Sequence, residues 1–98
     1  MDIDFSVTKN GKELDKSLYT WDENSKTFST CENGLVLDFI SVNGCTFKTG
    51  FGCTFKTDDC CTFDVDDGCT FKTGEECVAV RRGIFEIIKL EKGVKIKI

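Results

Sequence analysis

The feature that most constrains this chain is a cysteine at every eighth position from residue 45 to residue 77. The five are Cys45, Cys53, Cys61, Cys69 and Cys77, and each of the first four opens a Cys-Thr-Phe triplet. A unit of eight residues is too short to bury a face alone and has to stack on its neighbours. The spacing therefore predicts a repeat architecture of solenoid type.

Each eight-residue unit, or octad, is counted from its cysteine as slot one, and its first half alternates apolar and polar residues. Cys45 and Phe47 fill slots one and three, and Thr46 and Lys48 fill slots two and four. A period of two is typical of a β-strand with one buried face, so slots one and three are predicted to point inward. Slots five to eight are rich in Gly and Asp, which favour turns. Each octad is thus predicted to be one short strand and one corner.

This alternation assigns two sets of residues. The predicted core ladder is Cys45, Cys53, Cys61, Cys69, Cys77, Phe39, Phe47, Phe55, Phe63 and Phe71. The predicted outward face is Thr46, Thr54, Thr62, Thr70, Lys48, Lys56 and Lys72.

The octad grid also fits residues outside the cysteine run. Backwards, Leu37 and Phe39 fall in slots one and three, and Cys31 falls in the Phe slot of the octad before. Forwards, Cys77-Val78-Ala79-Val80 and Phe85-Glu86-Ile87-Ile88 continue the register. The grid predicts about eight octads between Ser29 and Lys92.

Two coil geometries are compatible with such octads. Two octads make a flattened coil of about 16 residues, and three make a triangular coil of about 24. The smaller coil stacks Lys48 on Asp64, which breaks up a file of like charges and is favoured by about 0.2–1 kcal/mol. It also stacks Lys56 on Lys72, which the charge argument does not explain. We predict the coil of two octads.

The two ends of the chain differ from the array. Residues 1–28 contain an alternating segment at Ile3, Phe5 and Val7 and a hairpin-type Asn10-Gly11 pair, and they are predicted to form a capping hairpin. Residues 29–83 are the octad-repeat solenoid, and residues 84–98 form a C-terminal cap and edge strand within the same single domain. Because no bulky polar element follows the edge, Val94, Ile96 and Ile98 are the predicted self-association site.

The octads resemble those of uncharacterised bacterial and viral proteins with tandem Cys-Thr-Phe-Lys-Thr-Gly repeats, and the match is best over residues 44–74. Their period is also similar to that of ice-nucleation proteins, whose coils are built from two octads. Beetle antifreeze solenoids are a weaker match, because their flat Thr-x-Thr ladders differ from alternating Thr and Lys or Asp. These resemblances imply an all-β solenoid and no particular activity.

The seven cysteines are expected to be reduced, since their number is odd and no signal peptide precedes them, and the repeated ones are expected to be core residues. The acidic N-terminal residues and the absence of a long apolar run predict a cytoplasmic protein that does not enter membranes. Cys60 replaces a corner glycine and is predicted to point outward. The chain contains no His and no Cys-x-x-Cys, so a zinc site is not expected. Acidic residues near Asp58 and Asp66 are predicted to be solvated corners and not a calcium site.

Composition narrows the function. A formal net charge of -4 argues against nucleic-acid binding, and the adjacent Arg81 and Arg82 are read as a solvated corner. No nucleophile, base and orienting partner occur together, so neither enzymatic activity nor a cofactor is expected. The sequence predicts a structural or interaction module that self-associates end to end. The alternatives are binding of ice or a repetitive polymer by outward Thr files, and thiol-based redox or metal binding.

Overall fold

The regular secondary structure of the protein is almost entirely short β-strands, which turns and corners connect. A computed structural model describes residues 5–40, 42–83 and 86–98, and its only helical element there is a 3-10 turn at Lys16–Leu18. The strands are β1 (Ser6–Lys9), β2 (Lys12–Glu13), β3 (Tyr19–Asp22), β4 (Thr27–Thr30), β5 (Leu35–Phe39), β6 (Thr46–Lys48), β7 (Thr54–Thr57), β8 (Thr62–Val65), β9 (Thr70–Lys72), β10 (Cys77–Arg81), β11 (Glu86–Leu90) and β12 (Ile96–Lys97).

The strands form two sheets that enclose one core. The first sheet has the order β2-β1-β5-β7-β9-β12, and the second has the order β3-β4-β6-β8-β10-β11. From β4 to β10 the chain alternates between the sheets, so each turn contributes one strand to each. This arrangement is a β-solenoid of about three turns, as the octads predicted.

The strand register fixes the length of the coil at two octads. Thr46 pairs with Thr62 in the second sheet, and Thr54 pairs with Thr70 in the first, both in parallel strands. Each pair is separated by 16 residues, which excludes the triangular alternative. The charged side chains follow the same register. Lys48 lies beside Asp64 on the neighbouring strand of the second sheet, and Lys56 lies beside Lys72 in the first.

The backward extension of the octad grid is wrong. Leu37, and not Phe39, lies opposite Phe55, and Phe28, and not Cys31, lies opposite Phe47. The corners that precede β5 and β6 contain extra residues, so the first turn is longer than the repeated ones. Phe39 still points inward because a shift of two residues keeps a strand residue on the same face. Cys31 lies in a corner and is exposed.

The forward extension of the grid also ends early. After β10 the chain reverses, and β11 runs antiparallel to β10 with Cys77 opposite Leu90. β12 runs antiparallel to β9, with Ile96 opposite Phe71. The predicted parallel octad at 85–92 is therefore a hairpin strand and a connection. Phe85 lies outside the described residues.

Antiparallel strands and aromatic rings cap the other end of the solenoid. Asn10 and Gly11 both have positive φ, 53° and 79°, which suits the tight turn between β1 and β2. β1 pairs antiparallel with β5, and the Phe5 ring stacks on Phe39 with ring centroids 4.2 Å apart. Trp21 packs against the same two rings. Ile3 lies outside the described residues.

Phenylalanine rings fill the space between the sheets. Phe47 stacks on Phe63 with ring centroids 5.0 Å apart, and Phe55 stacks on Phe71 at 5.1 Å. Rings from opposite sheets meet edge to face, as Phe47 and Phe55 do. Both arrangements are favourable for aromatic pairs beyond their burial of apolar area. The stacked rings therefore hold the turns in register along the axis.

Cysteine ladders, outward rows and the solenoid ends

The repeated cysteines form two ladders where the corners meet the core. One ladder contains Cys45, Cys61 and Cys77, and the other contains Cys53 and Cys69. All five side chains are buried, with at most 1% exposed. Ladder neighbours occupy equivalent positions on successive turns, so their Cα atoms are about 4.8 Å apart.

Thiol hydrogen bonds link successive turns. Cys69 Sγ donates to the carbonyl oxygens of Asp66 and of Gly50, one turn away. Cys77 Sγ donates to the carbonyl oxygen of Asp58 at 3.3 Å and also accepts from the backbone N–H of Cys61. Backbone carbonyls that are buried at corners need donors, and the thiols supply them. The cysteines therefore do more than fill space.

Slot five carries a buried threonine that sequence reasoning missed. Thr49, Thr57 and Thr73 are buried, and each lies near the cysteine four residues further on. Thr73 donates to the carbonyl oxygen of Gly74. The hydroxyls of Thr49 and Thr57 face the thiols of Cys53 and Cys61, and hydrogen bonding from these hydroxyls helps to lower the pKa of each thiol. The sequence contains one signal that slot five faces inward, because the octad at 61–68 has the apolar Val65 in that slot.

Neighbouring thiols in each ladder affect each other's ionisation. A hydrogen bond from Cys69 lowers the pKa of Cys53, and the pKa of Cys69 is raised by the same contact. Cys61 and Cys45 behave in the same way, with the pKa of Cys61 lowered and that of Cys45 raised. The cause is that one thiolate stabilises the proton on its partner.

The two remaining cysteines lie outside the ladders and are exposed. They are Cys31, in the corner after β4, and Cys60, in the corner after β7. Cys60 has a φ of 60° and occupies the corner position that is glycine at Gly44, Gly52 and Gly68. Desolvation, followed by the charge of Glu76, raises the pKa of the Cys60 thiol.

The outward slots form straight rows on both sheets. On the second sheet Thr27, Thr46 and Thr62 are aligned, and on the first sheet Thr54 and Thr70 are aligned. The lysine slots lie beside them, and Lys48, Lys56 and Lys72 are exposed. Each threonine row is therefore flanked by charged side chains.

Arg82 links its own turn to the two preceding turns at one corner. Its guanidinium donates to the carbonyl oxygen of Thr49 and to Asp66 Oδ2, and it lies 3.6 Å from Asp64 Oδ1. Arg81 forms ion pairs with Asp67 and Glu86. The arginine pair is thus part of an ion-pair network, and the sequence-based reading of a merely solvated corner is too simple.

The predicted self-association residues lie at the end of the solenoid formed by β11 and β12. Val94 is 46% exposed, whereas Ile96 and Ile98 are half-buried against the core. Ile98 is anchored on the last turn, because its N–H donates to the carbonyl oxygen of Cys69. On β11, Ile87 is 73% exposed and Ile88 is half-buried. We call Ile87, Ile88, Val94, Ile96 and Ile98 the β11/β12 end surface.

No protein-family model, curated protein or solved structure matches this chain. The resemblance to octad-repeat proteins therefore stays a prediction. Within residues 5–40, 42–83 and 86–98, no helix is long and apolar enough to cross a membrane. Over the same part of the chain, no three or more His, Cys, Asp or Glu side chains are arranged to hold a metal ion.

Proposed function

We propose that the chain is a non-enzymatic structural module, a short β-solenoid that forms homodimers through the β11/β12 end surface. The observation that supports this most directly is β11, a strand of five residues at the outer edge of the second sheet. An edge strand presents backbone N–H and C=O groups to a further strand. A second copy of the same chain supplies such a strand.

The difference between the two ends of the solenoid supports this choice. At the β2/β3 end, the Phe5 and Trp21 rings cover Phe39, and Leu14 is buried. At the other end, Ile87 on β11 is 73% exposed, more than any large apolar side chain that the structure describes at the β2/β3 end. Apolar side chains that remain partly exposed beside an edge strand are typical of an interaction site. Association therefore involves the β11/β12 end.

A symmetric pairing of β11 with itself is compatible with its charges. In an antiparallel pair centred on Ile88, Ile87 of one copy lies opposite Lys89 of the other, and Glu86 lies opposite Leu90. No like charges face each other directly, so this register carries no repulsive pair. Such an interface is the same patch on both copies, and it closes as a dimer without forming a filament.

The experiment that tests this proposal compares two substitutions at Ile87. Ile87→Lys places a lysine opposite Lys89 of the second copy, and Ile87→Glu places a carboxylate there. The two-fold symmetry of the dimer places this contact in the interface twice. We therefore expect the dimer dissociation constants of the two variants to differ by about tenfold or more, with Ile87→Glu forming the tighter dimer. Sedimentation velocity at low salt measures both constants.

A further variant tests the apolar part of the surface. Val94→Asp adds a charge to an exposed side chain and should weaken the dimer without unfolding the monomer, which far-UV circular dichroism verifies. The matched control is Val36→Asp, since Val36 is 43% exposed but lies on the outer face of the first sheet. Equal dimerisation of all four variants would contradict the proposal.

A second candidate function is binding of a regular surface, such as ice or a repetitive polymer, by the threonine rows. The alignment of Thr27, Thr46 and Thr62 on adjacent parallel strands supports it. The neighbouring row that contains Lys48 places charges beside these threonines. Charges are unfavourable on a flat surface that matches ice, and they suit a charged polymer better. Thermal hysteresis that is lost in Thr46→Lys but unchanged in Ile87→Lys would favour this function over dimerisation.

A further inference from the structure

We propose that Asn10 is a site of spontaneous covalent modification, at which the side-chain amide is lost and the residue becomes aspartate or isoaspartate. The backbone nitrogen of Gly11 bonds to Cγ of Asn10, the bond from Cγ to the amide nitrogen breaks, and ammonia leaves with the proton of the Gly11 N–H. Water then opens the cyclic imide at either of its two carbonyl carbons, without any transfer of electrons. The proposal is independent of self-association, because Asn10 lies at the β2/β3 end of the solenoid.

Three asparagines of the chain are followed by glycine, in the pairs Asn10-Gly11, Asn33-Gly34 and Asn43-Gly44. Glycine has no Cβ atom to hinder the approach of its backbone nitrogen, and its backbone is the most freely rotating of all residues. In an unfolded chain the three pairs should therefore react at similar rates. Differences between them in the folded protein have to come from the hydrogen bonds that hold the reacting groups.

The Asn33 pair is held by two hydrogen bonds to the next turn. Asn33 Oδ1 accepts from the N–H of Phe51 at 3.0 Å, and the N–H of Gly34 donates to the carbonyl oxygen of Phe51, also at 3.0 Å. Both hydrogen bonds must break before the Gly34 nitrogen can lose its proton and reach Cγ of Asn33. Because each broken hydrogen bond adds to the barrier, Asn33 is the most protected of the three asparagines.

The Asn43 pair is held at its glycine. The N–H of Gly44 donates to the carbonyl oxygen of Asp59 at 3.0 Å, which keeps the proton on the reacting nitrogen. The Asn43 side chain itself is exposed to water. One hydrogen bond must therefore break at this pair, where two must break at the Asn33 pair.

The Asn10 pair is the least protected. Asn10 and Gly11 are both exposed, in the two-residue turn between β1 and β2. In the part of the chain that the structure describes, the Gly11 N–H and the Asn10 side chain take part in no hydrogen bond. The proton of the Gly11 N–H is therefore open to solvent base, and Asn10 reacts first.

Isoaspartate at this position loosens the N-terminal cap. It adds a carbon atom to the main chain inside a tight turn, in which Lys9 pairs directly with Lys12. β2 then loses its register on β1. Leu14, which follows β2, is buried, and its N–H donates to the carbonyl oxygen of Val7 at 2.9 Å. Release of this segment exposes apolar surface and makes β1 the edge of the first sheet.

The test follows the reduced, folded protein during incubation in mildly alkaline buffer. Peptide mass spectrometry with electron-transfer fragmentation measures aspartate and isoaspartate at each asparagine. We expect Asn10 to react first, then Asn43 and then Asn33, with each hydrogen bond that must break slowing the reaction by about threefold to tenfold. In denaturant the three rates should converge, because all three asparagines precede glycine.

Two variants separate the reaction from its effect on the cap. Asn10→Gly removes the amide but tolerates the positive φ of this turn, so its melting temperature should not change during incubation. Asn10→Asp introduces the new charge on an ordinary backbone and should melt close to the fresh wild-type protein. The incubated wild-type protein, which contains isoaspartate, should melt a few degrees lower than Asn10→Asp.

Three results would overturn the proposal. The first is that Asn33 or Asn43 reacts at least as fast as Asn10 in the folded protein. The second is that the same order of rates persists in denaturant, since the flanking sequence and not hydrogen bonding then sets the rates. The third is that the incubated wild-type protein, with isoaspartate at residue 10, melts at the same temperature as Asn10→Asp, since the cap is then not loosened.

Discussion

Gly74 lies against the side chain of Asp59, so that a Cβ atom on Gly74 would be 2.0 Å from Asp59 Oδ1. The same oxygen accepts a hydrogen bond of 2.8 Å from the backbone N–H of Glu75. An equivalent contact joins Gly50 and Asn33, whose Oδ1 accepts from the N–H of Phe51. These glycines are required for close approach between turns.

The first prediction concerns these two corner glycines. Gly74→Ala and Gly50→Ala should each lower the free energy of unfolding by about 1–3 kcal/mol, because the new methyl group displaces the bonded Asp59 or Asn33 side chain. Urea denaturation followed by circular dichroism measures the change. Gly83→Ala is the control, since no atom of the described residues other than its chain neighbours lies within 4 Å of its Cβ position. A Gly74→Ala variant as stable as Gly83→Ala would contradict the contact.

The second prediction concerns the corner position before each ladder cysteine. Cys60 and Glu76 have φ values of 60° and 57°, whereas the equivalent Gly44, Gly52 and Gly68 adopt this conformation without strain. Cys60→Gly and Glu76→Gly should each raise the free energy of unfolding by about 1 kcal/mol. Thermal melting checks this. Glu75→Gly, at a residue without positive φ, should instead destabilise the protein, and stabilisation by all three would refute the explanation.

A third prediction concerns the rows of charged side chains, which differ between the two sheets. Lys56 faces Lys72 on the first sheet, whereas Lys48 faces Asp64 on the second. Lys72→Glu should stabilise the fold by about 0.2–1 kcal/mol, and Lys48→Glu should destabilise it by a similar amount. Both effects should shrink in high salt because exposed charges are screened. If the melting temperatures of Lys72→Glu and Lys48→Glu shifted in the same direction, the charged side chains of neighbouring strands would not interact as the register implies.

The thiols provide a fourth prediction. In the native protein, N-ethylmaleimide should modify Cys31 and Cys60, while the ladder cysteines should react only as the protein unfolds. Glu76→Gln should speed modification of Cys60 near neutral pH, because the carboxylate contributes to its raised pKa. Mass spectrometry of peptides from timed samples gives each rate. Similar rates for all seven cysteines would rule out inward ladders.

Much of the solenoid could be predicted from the regular octads, and the errors occur where the corners change length. A strand shifted by two residues keeps its buried face, so Phe39 is in the core although its register was wrong. A shift of three residues moves a side chain to the other face of the strand, so Phe28 and not Cys31 occupies the predicted Phe slot. Corner lengths depend on contacts between turns, which a single sequence does not display.

Features that depend on three-dimensional proximity were also beyond the sequence. β11 has the same alternation of apolar and charged residues that a further parallel octad would have. This pattern predicts a strand but not its direction, so the antiparallel course of β11 was not visible in the sequence. The position of Arg82 across three turns, and the burial of Thr49 and Thr57, can be seen only once the stacked coils are known.

Multi-angle light scattering of the reduced, unmodified protein over a concentration series tests the proposed function most directly. The account predicts a molar mass that rises from that of one 11.0 kDa chain to a plateau at twice that value, without further growth. A mass that stays at one chain throughout, or one that grows without a plateau, would contradict a closed dimer formed through the β11/β12 end surface.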